Sequence, residues 1–142
     1  MYLSPHFALA EFTRSETAAR RGLDNTPDAE TIENLKITAA GLEEIRALLG
    51  EPIQITSGFR SLKVNSAIGS KPTSAHVKGF AVDFVCPQYG TPKEICEAIR
   101  DSQIAYDQLI HEYGSWVHVS FAPELRRMAL TIDRAGTREG IA

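Results

Sequence analysis

The segment Phe80-Ala-Val-Asp-Phe-Val-Cys86 constrains this chain most, because it alternates like a β-strand yet carries a carboxylate at its centre. Successive side chains of a strand point to opposite faces. Phe80, Val82, Phe84 and Cys86 therefore share one face, read as core, while Ala81, Asp83 and Val85 share the other. A carboxylate between Val82 and Phe84 is costly to bury unless a metal, a cation or several hydrogen-bond donors meet it. The fold has to bring such a partner to Asp83.

Three other residues are candidates for that role. His76 lies seven positions earlier, in Ser74-Ala-His76, and a turn at Gly79 can bring it beside Asp83. His118 sits in Trp116-Val-His-Val119, where Val117 and Val119 face the core and leave the imidazole on the opposite side. Catalytic zinc takes three protein ligands from His, Asp and Glu and leaves a fourth position for water. Two histidines and one aspartate match that count. A His and an Asp seven apart also arise by chance, and Asp83 hydrogen-bonded to His118 or Arg60 would satisfy the carboxylate with no metal. Arg60, in the turn Ser57-Gly-Phe-Arg-Ser61, is placed to bind a carboxylate or polarise a carbonyl, and an ordinary surface arginine would look the same.

With 142 residues the chain suits a single domain, residues 1–142, that can bury a core without disulfides. The net charge of −3 and scattered Lys and Arg leave no electrostatic footprint for nucleic acid. No apolar stretch approaches the roughly 20 residues that span a bilayer, and the N-terminal residues do not form a secretion signal. The expectation is a monomer made in the cytoplasm, with no membrane insertion. Cys86 and Cys96 are expected as reduced, packed thiols.

Phe7 to Arg21 reads as a short helix with a capping box at Thr13-Arg-Ser-Glu16. A longer helix follows, with Thr26 as N-cap, Pro27 at its first position, Ile32, Leu35, Leu42, Ile45 and Leu48 as its apolar face, and Gly50 and Pro52 as its end. Ile53 to Thr56 alternates as a strand, and the turn after it launches a short helix through Val64, Asn65 and Ile68. Thr91-Pro-Lys-Glu94 opens a helix through Ile95, Ala98 and Ile99 with its own capping box. Asp107 to Tyr113 and Trp116 to Phe121 flank Gly114-Ser115 as a hairpin. Beyond Pro123 one strand is predicted, Met128 to Ile132, ahead of a polar and loose end.

The set Ser57-Gly-Phe-Arg60, Ser74-x-His76-x6-Asp83 and Trp116-Val-His118 resembles the zinc D-Ala-D-Ala carboxypeptidases and L-alanyl-D-glutamate peptidases that cut peptidoglycan stem peptides. The run from Phe7 to Ala18 and the helix after it further resemble a phage and prophage branch of that family. The resemblance implies an α+β fold of the hedgehog/DD-peptidase kind, with a small antiparallel sheet carrying the site and helices packed on one face. It divides the chain into a helical part (1–50), a catalytic core (51–121) and a tail (122–142). It also implies that His76, Asp83 and His118 bind one Zn2+, that Arg60 contacts substrate or stabilises the oxyanion, and that Ser74 binds the substrate peptide.

Most relatives carry the acidic general base three residues before the last histidine, where this chain has Ser115. Glu112 is the preferred substitute. A three-residue hairpin loop, Tyr113 to Ser115, pairs Glu112 with Trp116 and puts it on the face of His118, whereas a two-residue loop pairs His111 with His118 instead. The alternative function is a wall-binding phage structural domain that keeps fold and metal without catalysis. The expected setting is a host cytoplasm, from which the protein reaches the cell wall after release or as a virion component.

Overall fold

Short polar side chains that accept backbone amides set where most helices of this chain begin. A computed structural model describes residues 1–142. Strands β1 (Tyr2–Ser4) and β2 (Phe7–Ala8) form a small antiparallel pair ahead of helices α1 (Leu9–Thr13) and α2 (Glu16–Arg21). The expected single helix from Phe7 to Arg21 is thus three pieces. Ser15, in extended conformation, interrupts it and caps α2 by accepting the Ala18 amide at 3.1 Å, while the Thr13 hydroxyl turns back to the Leu9 carbonyl.

Helix α3 (Ala29–Leu49) starts two residues later than Thr26 and Pro27 predicted. Asp24 engages the Thr26 amide, and Asp28 takes over as N-cap by accepting from Thr31 at 2.8 Å. Gly50 closes the helix in left-handed conformation. The buried face runs through Leu35, Leu42, Ile45 and Leu49, so Leu49 replaces the predicted Leu48, which is exposed. Strand β3 (Gln54–Ser57), helix α4 (Leu62–Ala67, capped by Ser61), strand β4 (Ala81–Val85) and helix α5 (Pro92–Arg100) follow. At Thr91 the predicted capping box is present, with hydroxyl and Glu94 carboxylate bonded reciprocally.

Strands β5 (Gln108–Glu112), β6 (Trp116–Ser120), β7 (Met128–Asp133) and β8 (Gly136–Glu139) complete a six-stranded sheet of order β3-β4-β6-β5-β7-β8. The sheet is mixed rather than antiparallel, because β7 pairs with β5 in parallel. The expected loose tail is a further strand, and its end is tied in: the Ala142 amide donates to Thr131 Oγ1 at 2.9 Å and the Ala142 carbonyl lies 2.9 Å from His111 Nδ1. The fold is α+β, and none of its helices is long and apolar enough to cross a membrane.

Helices α3 and α5 cover one face of the sheet. Leu35, Leu42 and Ile45 of α3 and Ile95 and Ile99 of α5 join Val82, Phe84, Leu109, Val117 and Val119 in one buried cluster. Each such side chain contributes about 1.5–3 kcal/mol when fully buried. Cys86 and Cys96 are free and buried within the same cluster. The turn before α4 packs so closely on α1 that a Cβ on Gly58 would lie 2.4 Å from the Phe12 carbonyl oxygen. Phe59 N–H donates to that same oxygen at 2.7 Å.

The start of β5 is locked to the loop before β7. Asp107, 3% exposed, accepts from Nε and Nη2 of Arg126 at 2.8 Å each and from the Arg126 amide at 3.1 Å. The Arg126 guanidinium, together with its amide, holds the Asp107 carboxyl below its ordinary value against the opposing effect of burial. A depressed carboxyl pKa contributes stability above the unfolded value, about 3.9, and loses it as pH falls through the folded value. Asp107→Asn should therefore melt at a lower temperature than wild type at pH 7. The gap between the two melting temperatures should close below about pH 4, as followed by circular dichroism.

Candidate metal centre

The face of the sheet opposite α3 and α5 carries the chemistry. On β4 the alternation puts Asp83 away from the Val82 and Phe84 side, as the sequence required, but that face is covered as well, and Asp83 is 7% exposed. In the β4–β6 ladder Asp83 pairs with His118, and His118 Nδ1 lies 2.9 Å from Asp83 Oδ1. His76 arrives from the turn before β4. Gly79, at φ +81°, makes the reversal that an L-residue would adopt only with strain, and His76 Nε2 comes to 3.3 Å from the same Asp83 oxygen. The two imidazole rings meet edge to face with centroids 5.1 Å apart.

The protonation of His76 follows from its other nitrogen. Nδ1 is 2.7 Å from the Gly58 carbonyl, which can only accept, so Nδ1 carries the proton and the Nε2 lone pair faces Asp83. Burial pushes His76 below the usual histidine value, against a second proton. Burial alone would raise Asp83, but the hydrogen bond from His118 leads the influences that overrule it and hold the carboxyl well below the usual carboxylate range. Two acceptors thus face each other across 3.3 Å in a buried site, an arrangement that calls for a cation between them.

A zinc ion fits this donor set. Arms of about 2.0–2.1 Å at tetrahedral angles place ligand atoms about 3.3 Å apart, the spacing of His76 Nε2 and Asp83 Oδ1. One ligand atom from each of His76, Asp83 and His118 lies within 4.8 Å of the others, and all three residues are buried. His118 Nδ1 faces Asp83 Oδ1 as a donor, and to hold a metal through that atom the ring would take its other neutral tautomer, with the proton on Nε2.

Two charged groups border the triad. Arg60 Nη2 stands 3.6 Å from Asp83 Oδ2, and burial pulls the guanidinium below its ordinary value while the charges of Asp83 and Glu112 oppose the shift. Glu112 Oε1 stands 3.8 Å from His118 Nδ1. Burial raises the Glu112 carboxyl, and the nearby charge of Asp83 adds to the rise, against the lowering influence of His118.

The hairpin register decides which side chains reach the triad. Its loop has three residues, Tyr113 to Ser115, with Tyr113 and Gly114 at positive φ, so Glu112 pairs with Trp116 and Ile110 with His118. His111, the alternative base, is not brought to the site. It lies opposite Val117, with the parity of the core-facing residues, and its Nδ1 meets the Ala142 carbonyl. Ser115 is exposed in the loop and donates to the Tyr113 carbonyl. Ser74 accepts the His76 amide at 3.3 Å and shares with His118 the lining of a concavity of about 510 Å³. Arg60, Arg14 and Arg20 line a separate concavity of about 430 Å³.

Sequence reasoning missed the Gly58 carbonyl that fixes the His76 tautomer, since a main-chain acceptor leaves no mark on residue type. It also missed the buried Trp116 indole N–H, which makes no close hydrogen bond yet acts on Glu112 across the ladder and favours its ionised form.

The protein has an α+β fold with a buried His-Asp-His cluster that could hold a metal ion. A family model described as Peptidase M15 matches residues 5–120, and the chain belongs to this family of zinc-dependent peptidases. No match was found among curated proteins.

Zinc should bind at one equivalent and stabilise the chain. A free concentration a hundredfold above Kd adds about 2.7 kcal/mol, or roughly 5–10 °C in melting temperature for a chain of this size. Asp83→Ala should abolish this shift in a thermal melt; an undiminished shift in that variant would place the ion elsewhere.

Proposed function

We propose that the protein is a zinc peptidase that hydrolyses peptide bonds in peptidoglycan stem peptides. The observation that carries the proposal is the buried triad bordered by one acid and one guanidinium, Glu112 and Arg60, both within 4 Å of a triad atom. Membership in the peptidase M15 family supports the reaction class. The peptidoglycan substrate rests on the three-part motif around Arg60, His76, Asp83 and His118, which this chain has in common with wall peptidases.

His76, Asp83 and His118 would hold the ion. Zinc, when bound, supplies Lewis-acid polarisation of the scissile carbonyl and acidifies water. Glu112 takes the proton of the attacking water and returns it to the leaving amine. Its raised pKa suits that exchange, since a base is most effective near the working pH. Arg60 places positive charge where the tetrahedral oxyanion develops, inside a site with little water to screen it. Ser74, on the lining of the concavity beside His118, binds the peptide.

The biological setting we assign is lysis or penetration of the bacterial wall by a phage or prophage, with the protein released from the host cytoplasm or carried in the virion. The likeness of Phe7 to Ala18 to that branch supports it. Purified zinc-loaded protein should release peptides from isolated cell wall, with products identified by mass spectrometry on defined muropeptides. Glu112→Gln should keep one equivalent of zinc and lose about 10²-fold or more in kcat. Wild type that binds wall but releases nothing would identify a wall-binding domain instead.

A further inference from the structure

We infer that Asn25 is the positioning residue for Arg60. This rests on the role given to Arg60 in the proposed function. Asn25 lies in the loop between α2 and α3, yet its side chain reaches none of its neighbours in sequence. Nδ2 donates to the Thr13 carbonyl at 2.8 Å and to the Phe59 carbonyl at 3.1 Å, and Oδ1 accepts the Ser61 amide at 2.7 Å. An amide offers two donors and two lone pairs, and three of these four sites are spent on main chain 12, 34 and 36 residues away.

The two groups Asn25 grips on the β3–α4 turn are the carbonyl just before Arg60 and the amide just after it. One side chain therefore clamps the backbone on both sides of the guanidinium-bearing residue. The Arg60 amide is held from the opposite side by the His76 carbonyl at 3.1 Å, and Phe59 N–H by Phe12. The Arg60 side chain has one polar contact, Asp83 at 3.6 Å. That distance is too long for a strong charge-assisted bond, so the backbone clamp, by fixing the Arg60 Cα, sets the point from which the guanidinium reaches Asp83.

A loop asparagine ordinarily bonds its own backbone two residues on and shapes only its own turn. Asn25 instead joins three segments: the end of α1, the loop before α3, and the turn carrying Arg60. The geometry demands both a donor and an acceptor at this length of side chain. Serine has the wrong reach and alanine neither group.

The test compares wild type, Asn25→Ala, Arg60→Ala and the double variant, each zinc-loaded, on cell-wall peptides. Asn25→Ala should retain one equivalent of zinc and lose about 10- to 100-fold in kcat/KM, the scale of a misplaced catalytic group. The double variant should match Arg60→Ala within about twofold, because independent sites multiply and a shared route does not. Losses that multiply overturn the inference. Amide hydrogen exchange gives a second readout that needs no turnover. In Asn25→Ala, Ser61 should lose protection while Val119 in β6 keeps it, and unchanged protection at Ser61 overturns the inference. Wild type inert on every wall peptide would sink the peptidase reading alone, with the exchange arm still deciding the clamp. If Asn25→Ala does not fold, Asn25→Ser takes its place in both arms.

Discussion

The ionised carboxylate of Asp83 sits almost out of water in the middle of an apolar strand, and the arrangement of the rest of the site answers its demand for partners. An unpaired charge in such a place costs several kcal/mol. Three elements spend side chains on it: β6 supplies His118 directly across the ladder, the turn at Gly79 supplies His76, and the β3–α4 turn supplies Arg60, while β5 carries Glu112 to 3.8 Å from His118. These partners leave the His76 lone pair and the carboxylate face to face, so the protein alone does not balance the site. An arrangement that needs an added cation to settle is suited to holding one.

The scaffold for these groups is largely main chain. The Gly58 carbonyl sets the His76 tautomer, the His76 carbonyl holds the Arg60 amide, and the Phe12 carbonyl holds Phe59. The absent side chain at Gly58 lets the β3–α4 turn lie flat against α1. The N-terminal residues are therefore part of the site's architecture, although none of them is a ligand.

Periodicity and capping chemistry made much of this legible in the sequence. The parity of Phe80 to Cys86 separated the core face from the ligand face, and the hairpin spacing narrowed the partners of His118 to two registers. The choice between those registers turned on whether Tyr113 would accept positive φ, a tertiary outcome that composition does not encode. Thr13 and Thr26 are credible caps with better-placed competitors two residues on, Ser15 and Asp28. Leu48 and Leu49 differ by 100° around α3, and only the packing of the last turn chooses between them. In the tail the strand over Met128 to Ile132 is found as β7, whereas the end expected to be loose is held by the β7–β8 ladder and by the contacts of Ala142, which no local pattern announces.

The pairing of Asp83 with a histidine 35 residues further along has a consequence in time. A chain that emerges from its N-terminus presents β4 long before β6 exists. Until His118 has been made and the β4–β6 ladder has closed, the carboxylate stays in water and the triad lacks a member. Contacts this distant in sequence close late, because the entropy of the intervening loop is lost before they form. Capture of the ion would then wait on closure of the β4–β6 ladder, so that a chain cut short before His118 would carry no complete triad.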